Sequence, residues 1–145
     1  MDYRKQQDLN LGFKSENDIH QTLENVFGKL LNTKDNQDMG EYFEFDKYND
    51  NYMIEIKTRR IIHNQYPTLI FGENKLRKGD ELINQNPNLR IFYLWKCNDG
   101  IYGWEHRSTD YYVSQMGRYD RGRREVDDCV NIKQCNIKSL NKLLE

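Results

Sequence analysis

Residues 45 to 60 read FDKYNDNYMIEIKTRR, and the alternation within them decides what kind of sheet this chain builds. From Glu41 to Tyr48 aromatic and charged residues alternate. From Asn51 to Thr58 the alternation resumes around Tyr52, Ile54 and Ile56, and the turn-forming run Tyr48, Asn49, Asp50, Asn51 lies between the two. That pattern predicts a β-hairpin. Side chains alternate faces along a strand, so Glu55 and Lys57 project to one side while Ile54 and Ile56 project to the other, into a core. Asp46 lies across the tight turn, nine positions before Glu55, and brings a second carboxylate to the same place. Two hard oxygen ligands plus water suit Mg²⁺, which takes only one or two protein carboxylates. Such a cation lowers the pKa of a bound water and neutralises a scissile phosphate, while a lysine stabilises the attacking hydroxide or the developing phosphorane. The chemistry implied is phosphodiester hydrolysis. Taken without context, an ExK tripeptide is common, and Glu55 with Lys57 reads more readily as a solvent-facing charge pair on an edge strand.

Working outward, Ile19, Leu23, Val26, Phe27 and Leu30 recur at helical spacing and predict a helix over 15–32, with Ser15 and Asp18 as a shortened capping box. Residues 1–14 read as a flexible leader and 15–145 as one domain. After the hairpin a third strand is expected at Thr68–Gly72 and a helix from about Asn74 to Asn84, closed by Asn86, Pro87 and Asn88. LRIFYLW, residues 89–95, is the most β-prone run and predicts a central buried strand. Asn98, Asp99 and Gly100 turn it into an antiparallel partner, Ile101–His106, at the sheet edge. The tail reads as a strand from Tyr111 to Ser114, a basic loop, a strand near Cys129–Lys133 and a final helix from about Ile137 to Leu144.

Composition bounds the function classes. The chain has 145 residues, 31% charged and 37% hydrophobic, with ten Tyr, six Phe and two Trp, enough bulky apolar surface for one folded domain. A net charge of -1 gives no global basic signal, so nucleic-acid binding must rest on local clusters. Cys97, Cys129 and Cys135 form no CxxC pair, which argues against a disulfide framework and a zinc site and for a reducing compartment. The polar start MDYRKQQDLN lacks an apolar signal region, and no run approaches the ~18 apolar residues of a membrane span. The expectation is an intracellular protein, cytoplasmic, at the nucleoid or nucleus, or virus-encoded in a host cell; neither secreted nor bound to a membrane.

The motif and the element order together resemble the PD-(D/E)xK nuclease superfamily, over roughly residues 15–106. In that superfamily a helix precedes a three-stranded meander carrying an acidic residue and then (D/E)xK, followed by a helix and another strand. Asp46 stands where the family's metal-binding aspartate is found, and Glu55, Ile56 and Lys57 stand for ExK. Phe45 replaces the family's proline; the proline shapes the backbone, whereas the carboxylate binds metal. The resemblance implies an α/β fold of restriction endonuclease type, a mixed sheet flanked by helices (αβββαβ core) with a C-terminal β/α extension. It also implies an Mg²⁺-dependent nuclease, with Mn²⁺ able to substitute, acting on DNA, branched or junction DNA included. Many members carry a further acid on the first helix, for which Glu16 is the choice and Glu24 the reserve. Some carry a Lys on the second helix near the metal, which points to Lys75 and more weakly to Lys78.

On this reading Asp46, Glu55 and the backbone carbonyl of Ile56 hold the cation, and Asp46, Glu55, Lys57, Glu16 and Lys75 form the catalytic set. Arg59 and Arg60 leave the catalytic strand directly and suit phosphate steering, as does Lys75. In GRYDRGRRE, residues 117–125, Arg118, Arg121, Arg123 and Arg124 are spaced by glycines and Tyr119, a pattern that can follow a nucleic-acid backbone. Asp120, Glu125, Asp127 and Asp128 can instead neutralise it in a surface salt-bridge network. His63 follows the strand closely enough to be a minor candidate. A homodimer would let two sites cut both strands. The alternative is a catalytically silent nucleic-acid-binding or assembly module on the same fold.

Overall fold

The computed structural model describes residues 16–33, 45–118 and 125–145, without the side chains of 116–118 and 125–127. Helix α1 spans Glu16–Phe27. Its apolar stripe of Ile19, Leu23, Val26 and Phe27 faces the sheet, with Leu23 and Phe27 buried. The predicted extension to residue 32 does not form. Gly28 takes φ 80°, a left-handed conformation that closes a helix, and its N–H bonds the Glu24 carbonyl at 2.9 Å. Leu30 still enters the core, but from the turn, so its helical spacing was misleading. Leu31–Asn32 then forms β1. Ser15 of the expected capping box lies outside the described residues.

The hairpin forms as predicted, between β2 (Lys47–Tyr48) and β3 (Tyr52–Thr58). Asn49 builds its turn: the side-chain oxygen accepts the N–H groups of Asn51 and Tyr52 at 2.9 and 2.8 Å. Its amide nitrogen donates to the carbonyls of Phe27 and Lys29, both at 3.1 Å, satisfying acceptors at the end of α1 and tying helix to hairpin.

The remaining strands are β4 (Thr68–Gly72), β5 (Arg90–Cys97), β6 (Gly100–Glu105), β7 (Tyr112–Arg118), β8 (Glu125–Lys133) and β9 (Lys138–Ser139), and helix α2 spans Glu73–Gln85. They divide into a six-stranded mixed sheet of order β1-β2-β3-β5-β6-β9 and a three-stranded antiparallel sheet of order β4-β8-β7. β3 and β5 are parallel, joined by a crossover through β4 and α2. Expectation and structure part at three places. The strand Thr68–Gly72 does not continue the hairpin; it pairs with β8, far along the chain. The partner of β5 is not at the sheet edge, because β9 covers β6. The final helix is absent: Lys138 and Ser139 pair with Gly103 and Tyr102, and a short 3-10 turn, Leu140–Lys142, follows. Leu140 and Leu143 are buried, and their three-residue spacing serves that turn as well as a helix.

The main sheet is covered on both faces. Tyr52, Ile54, Phe92 and Leu94 face α1, whereas Met53, Ile91, Tyr93 and Trp95 face α2 and the second sheet. This explains why LRIFYLW shows no polar alternation: β5 is buried on both sides. No helix among the described residues is long and apolar enough to cross a membrane.

Candidate active site

Lys47 pairs with Ile54, so the register carried one residue further sets Asp46 opposite Glu55. The backbone N–H of Asp46 bonds the Ile54 carbonyl at 2.9 Å, and its carboxylate Oδ2 accepts the N–H of Ile56 at 2.9 Å. Thr33 holds the same segment from the other side, donating its N–H to the Asp46 carbonyl at 3.0 Å and its hydroxyl to the Phe45 carbonyl. Asp46 is thus fixed by both neighbouring strands.

Glu55 lies on the face of β3 that looks toward α2 and is only 4% exposed. The solvent-facing charge pair allowed by the sequence is therefore excluded. Two ammonium groups approach it: Lys57 Nζ stands 3.8 Å from Oε1, and Lys75 Nζ, from the first turn of α2, 3.6 Å from Oε2. Burial, then the negative charge of Asp46, pushes the Glu55 carboxyl up to about 7 from its ordinary 4.5, against the opposing pull of Lys75 and Lys57. Its Oε2 is buried without a hydrogen-bond partner among the described residues. A buried carboxylate oxygen that has an ammonium nearby but no hydrogen bond, set beside a second carboxylate, is the environment a small divalent cation relieves, and the donor set fits one. No group of three or more His, Cys, Asp or Glu capable of holding a metal occurs among the described residues, so the side-chain share would be Asp46 and Glu55 alone.

Hollows open on both sides of β3. The larger, about 570 Å³, lies between the start of α2 and the second sheet and is lined by Lys57, Arg59, Asn74, Lys75, Arg77, Gln115 and Asp128 among others. The smaller, about 250 Å³, is lined by Glu16, Asn32, Asp46, Lys47, Ile56 and Thr58. Glu16 therefore shares a hollow with Asp46. Glu24 does not: its carboxylate accepts the N–H of Leu30 at 2.9 Å and meets His20 at 3.5 Å, closing the end of α1.

Other candidates separate in the same way. Arg59 lines the larger hollow; Arg60 is exposed and lines neither. Lys78 pairs with Glu81 at 3.5 Å on the outer surface of α2. His63 hydrogen-bonds Asp99 through its backbone at 2.9 Å and its ring, and the ring stacks on Tyr102 at 3.8 Å, a structural pin. Arg118 ends β7 with its backbone paired to Glu125, and its side chain, with Arg121, Arg123 and Arg124, lies outside the described residues. Sequence reasoning missed Arg77, Asn74, Gln115 and Thr33. Only Arg77 had a signal, lying two positions after Lys75 in the same basic run.

A family model described as "Phage putative PDDEXK endonuclease" matches residues 2–143. The chain belongs to this family. No curated protein and no solved structure matches the chain. The family match places it in the PD-(D/E)xK nuclease superfamily and spans the second sheet and the C-terminal segment as well as the hairpin. In this PDDEXK chain Phe45, the residue before Asp46, is 1% exposed and part of the core.

Proposed function

We propose that this PDDEXK protein is a Mg²⁺-dependent endonuclease, with Mn²⁺ able to substitute, that hydrolyses DNA phosphodiester bonds. The observation that carries the reading is the buried Oε2 of Glu55, without a hydrogen-bond partner among the described residues, set opposite Asp46 and flanked by two lysines. The order α1, β1, β2, β3, α2, β5 supports it as the family's αβββαβ core, with β4 and the rest of the second sheet as additions.

In this reading Asp46, Glu55 and the Ile56 carbonyl would hold the cation, and Glu16, which lines the smaller hollow with Asp46, would add a further carboxylate near it. When bound, the cation supplies charge neutralisation at the scissile phosphate and a lowered pKa for the attacking water. Lys57, whose side chain is 40% exposed, orients that water and stabilises the charge that develops on phosphorus-bound oxygens. Lys75 contacts the phosphate. Arg59 and Arg77, on the wall of the larger hollow, hold neighbouring phosphates, contacts that position the strand without reading its sequence.

The test is incubation of the protein with plasmid, a four-way junction and single-stranded DNA, in Mg²⁺ or Mn²⁺ against EDTA. Metal-dependent cleavage is expected, and the three substrates identify the preferred DNA form. Lys57→Ala should lower kcat on the order of 10²–10³-fold while leaving the fold intact. Unchanged cleavage by Lys57→Ala or Asp46→Asn overturns the mechanism, and binding without cleavage in either metal points to the silent module.

A further inference from the structure

A chain of hydrogen bonds leads from the protein surface to the backbone of Lys75, and none of its members belongs to the carboxylate pair. Asp80 Oδ1 lies 2.7 Å from His106 Nε2, and His106 Nδ1 lies 2.8 Å from the Tyr93 hydroxyl. That hydroxyl donates to the Lys75 carbonyl at 3.2 Å. A carbonyl can only accept, so the Tyr93 hydroxyl is the donor to Lys75, and the His106 ring bridges that hydroxyl and the Asp80 carboxylate through its two nitrogens. The His106 side chain is 3% exposed and Tyr93 is 1% exposed, so water does not compete for the bond between them, while Asp80, 55% exposed, is the chain's end at the surface.

Two further observations tie the chain to the site. Tyr93 is the register partner of Glu55 in the β3–β5 ladder, so the hydroxyl that grips Lys75 belongs to the residue beside the carboxylate that Lys75 meets. Helix α2 also approaches the sheet tightly at this point. A Cβ on Gly79 would sit 2.6 Å from the Tyr93 oxygen and 2.9 Å from His106 Nδ1, so only glycine permits the approach. Lys75 lies one helical turn before Gly79, on the same helical face. The hydroxyl, the imidazole and the missing side chain together set the height of α2 over β5.

We propose that Tyr93 and His106 are positioning residues: the Asp80–His106–Tyr93 chain fixes the first turn of α2 so that Lys75 stands against Glu55 and meets the substrate phosphate. The phosphate contact rests on the nuclease reading above; the placement of Lys75 does not. A residue that acts through Lys75 must lose its influence when the lysine is gone, whereas one that only stabilises the fold must not.

The variant is Tyr93→Phe, which keeps the ring stacked on Phe71 at 4.1 Å and removes only the hydroxyl. Its kcat should fall on the order of tenfold with KM unchanged, since a small displacement of a positioned group lowers rate before binding. In a Lys75→Ala background the same substitution should have no further effect. His106→Gln, which can still hydrogen-bond Tyr93, should keep more activity than His106→Ala. Independently of any cleavage, the rate at which an amine-reactive reagent labels Lys75, read by mass spectrometry, should rise several-fold in Tyr93→Phe, because its side chain is only 18% exposed in the intact protein. Unchanged labelling overturns the proposal, as does a Tyr93→Phe effect that multiplies with that of Lys75→Ala. A wild-type protein that cuts no DNA in any metal removes the nuclease reading and leaves the labelling result to decide the positioning.

Discussion

Glu55 shows most directly how one side chain sets conditions for the whole site. Its carboxyl binds a proton more tightly in the folded chain, at about 7, than in the unfolded one, at about 4.5. Between those values the unfolded state is ionised while the folded state still holds its proton. Stability from this group is therefore full below about pH 4.5 and is lost as pH rises through about 7. The loss is on the order of 3 kcal/mol, since each tenfold change in proton affinity is worth about 1.4 kcal/mol. Glu55→Gln removes the ionisation, so without metal it should be more stable than the wild type at pH 8 and nearly equal to it at pH 4.5, as urea denaturation at the two pH values would show. Mg²⁺ at pH 8 should raise the Tm of the wild type and not that of Glu55→Gln, because a ligand stabilises only the state that binds it. An unshifted wild-type Tm would count against the cation.

At the scale of elements, the hairpin and α1 depend on each other through Asn49. Its side chain closes the turn and also occupies two carbonyls at the end of α1. Asn49→Ala should cost about 1–3 kcal/mol, since each abandoned group loses its partner, and should displace Asp46, three residues earlier. Measured by denaturation alongside metal-dependent thermal shift, it should lower both stability and metal response. Gly28→Ala tests the helix end alone. At φ 80° it should cost roughly 1 kcal/mol and leave the metal response unchanged. Both elements could be read locally. The hairpin showed in its alternation and turn residues, and α1 in its amphipathic run. The false extension of α1 had an equally local cause, because Leu30 continued a 3.6-residue stripe that Gly28 had already broken.

Over the whole molecule, the second sheet is joined to the main one by aromatic packing. Phe71 of β4 stacks on Tyr93 at 4.1 Å and lies against Trp95 and Trp104 at 6.2 and 6.0 Å. Phe71→Ala should cost about 3–5 kcal/mol and loosen Tyr93, so calorimetry should record a lower Tm and Lys75 labelling should rise with it. A stable Phe71→Ala variant with unchanged labelling would show that the second sheet does not support the site.

The meeting of Asp46, Glu55 and Lys57 was legible in the sequence because they lie within one hairpin, where face alternation and turn length fix geometry over a few residues. Lys75 came from likeness to a known nuclease pattern, and the structure sets it against the carboxylate that pattern pointed to. Tertiary structure alone decided the rest. The pairing of β4 with β8, the grip of Thr33 on Asp46 and the route from His106 to Lys75 join residues far apart in the chain, and no local spacing encodes such meetings. The proton affinity of Glu55 belongs with them. A carboxylate's charge is written in the sequence, but the cost of holding that charge depends on which layers close over it.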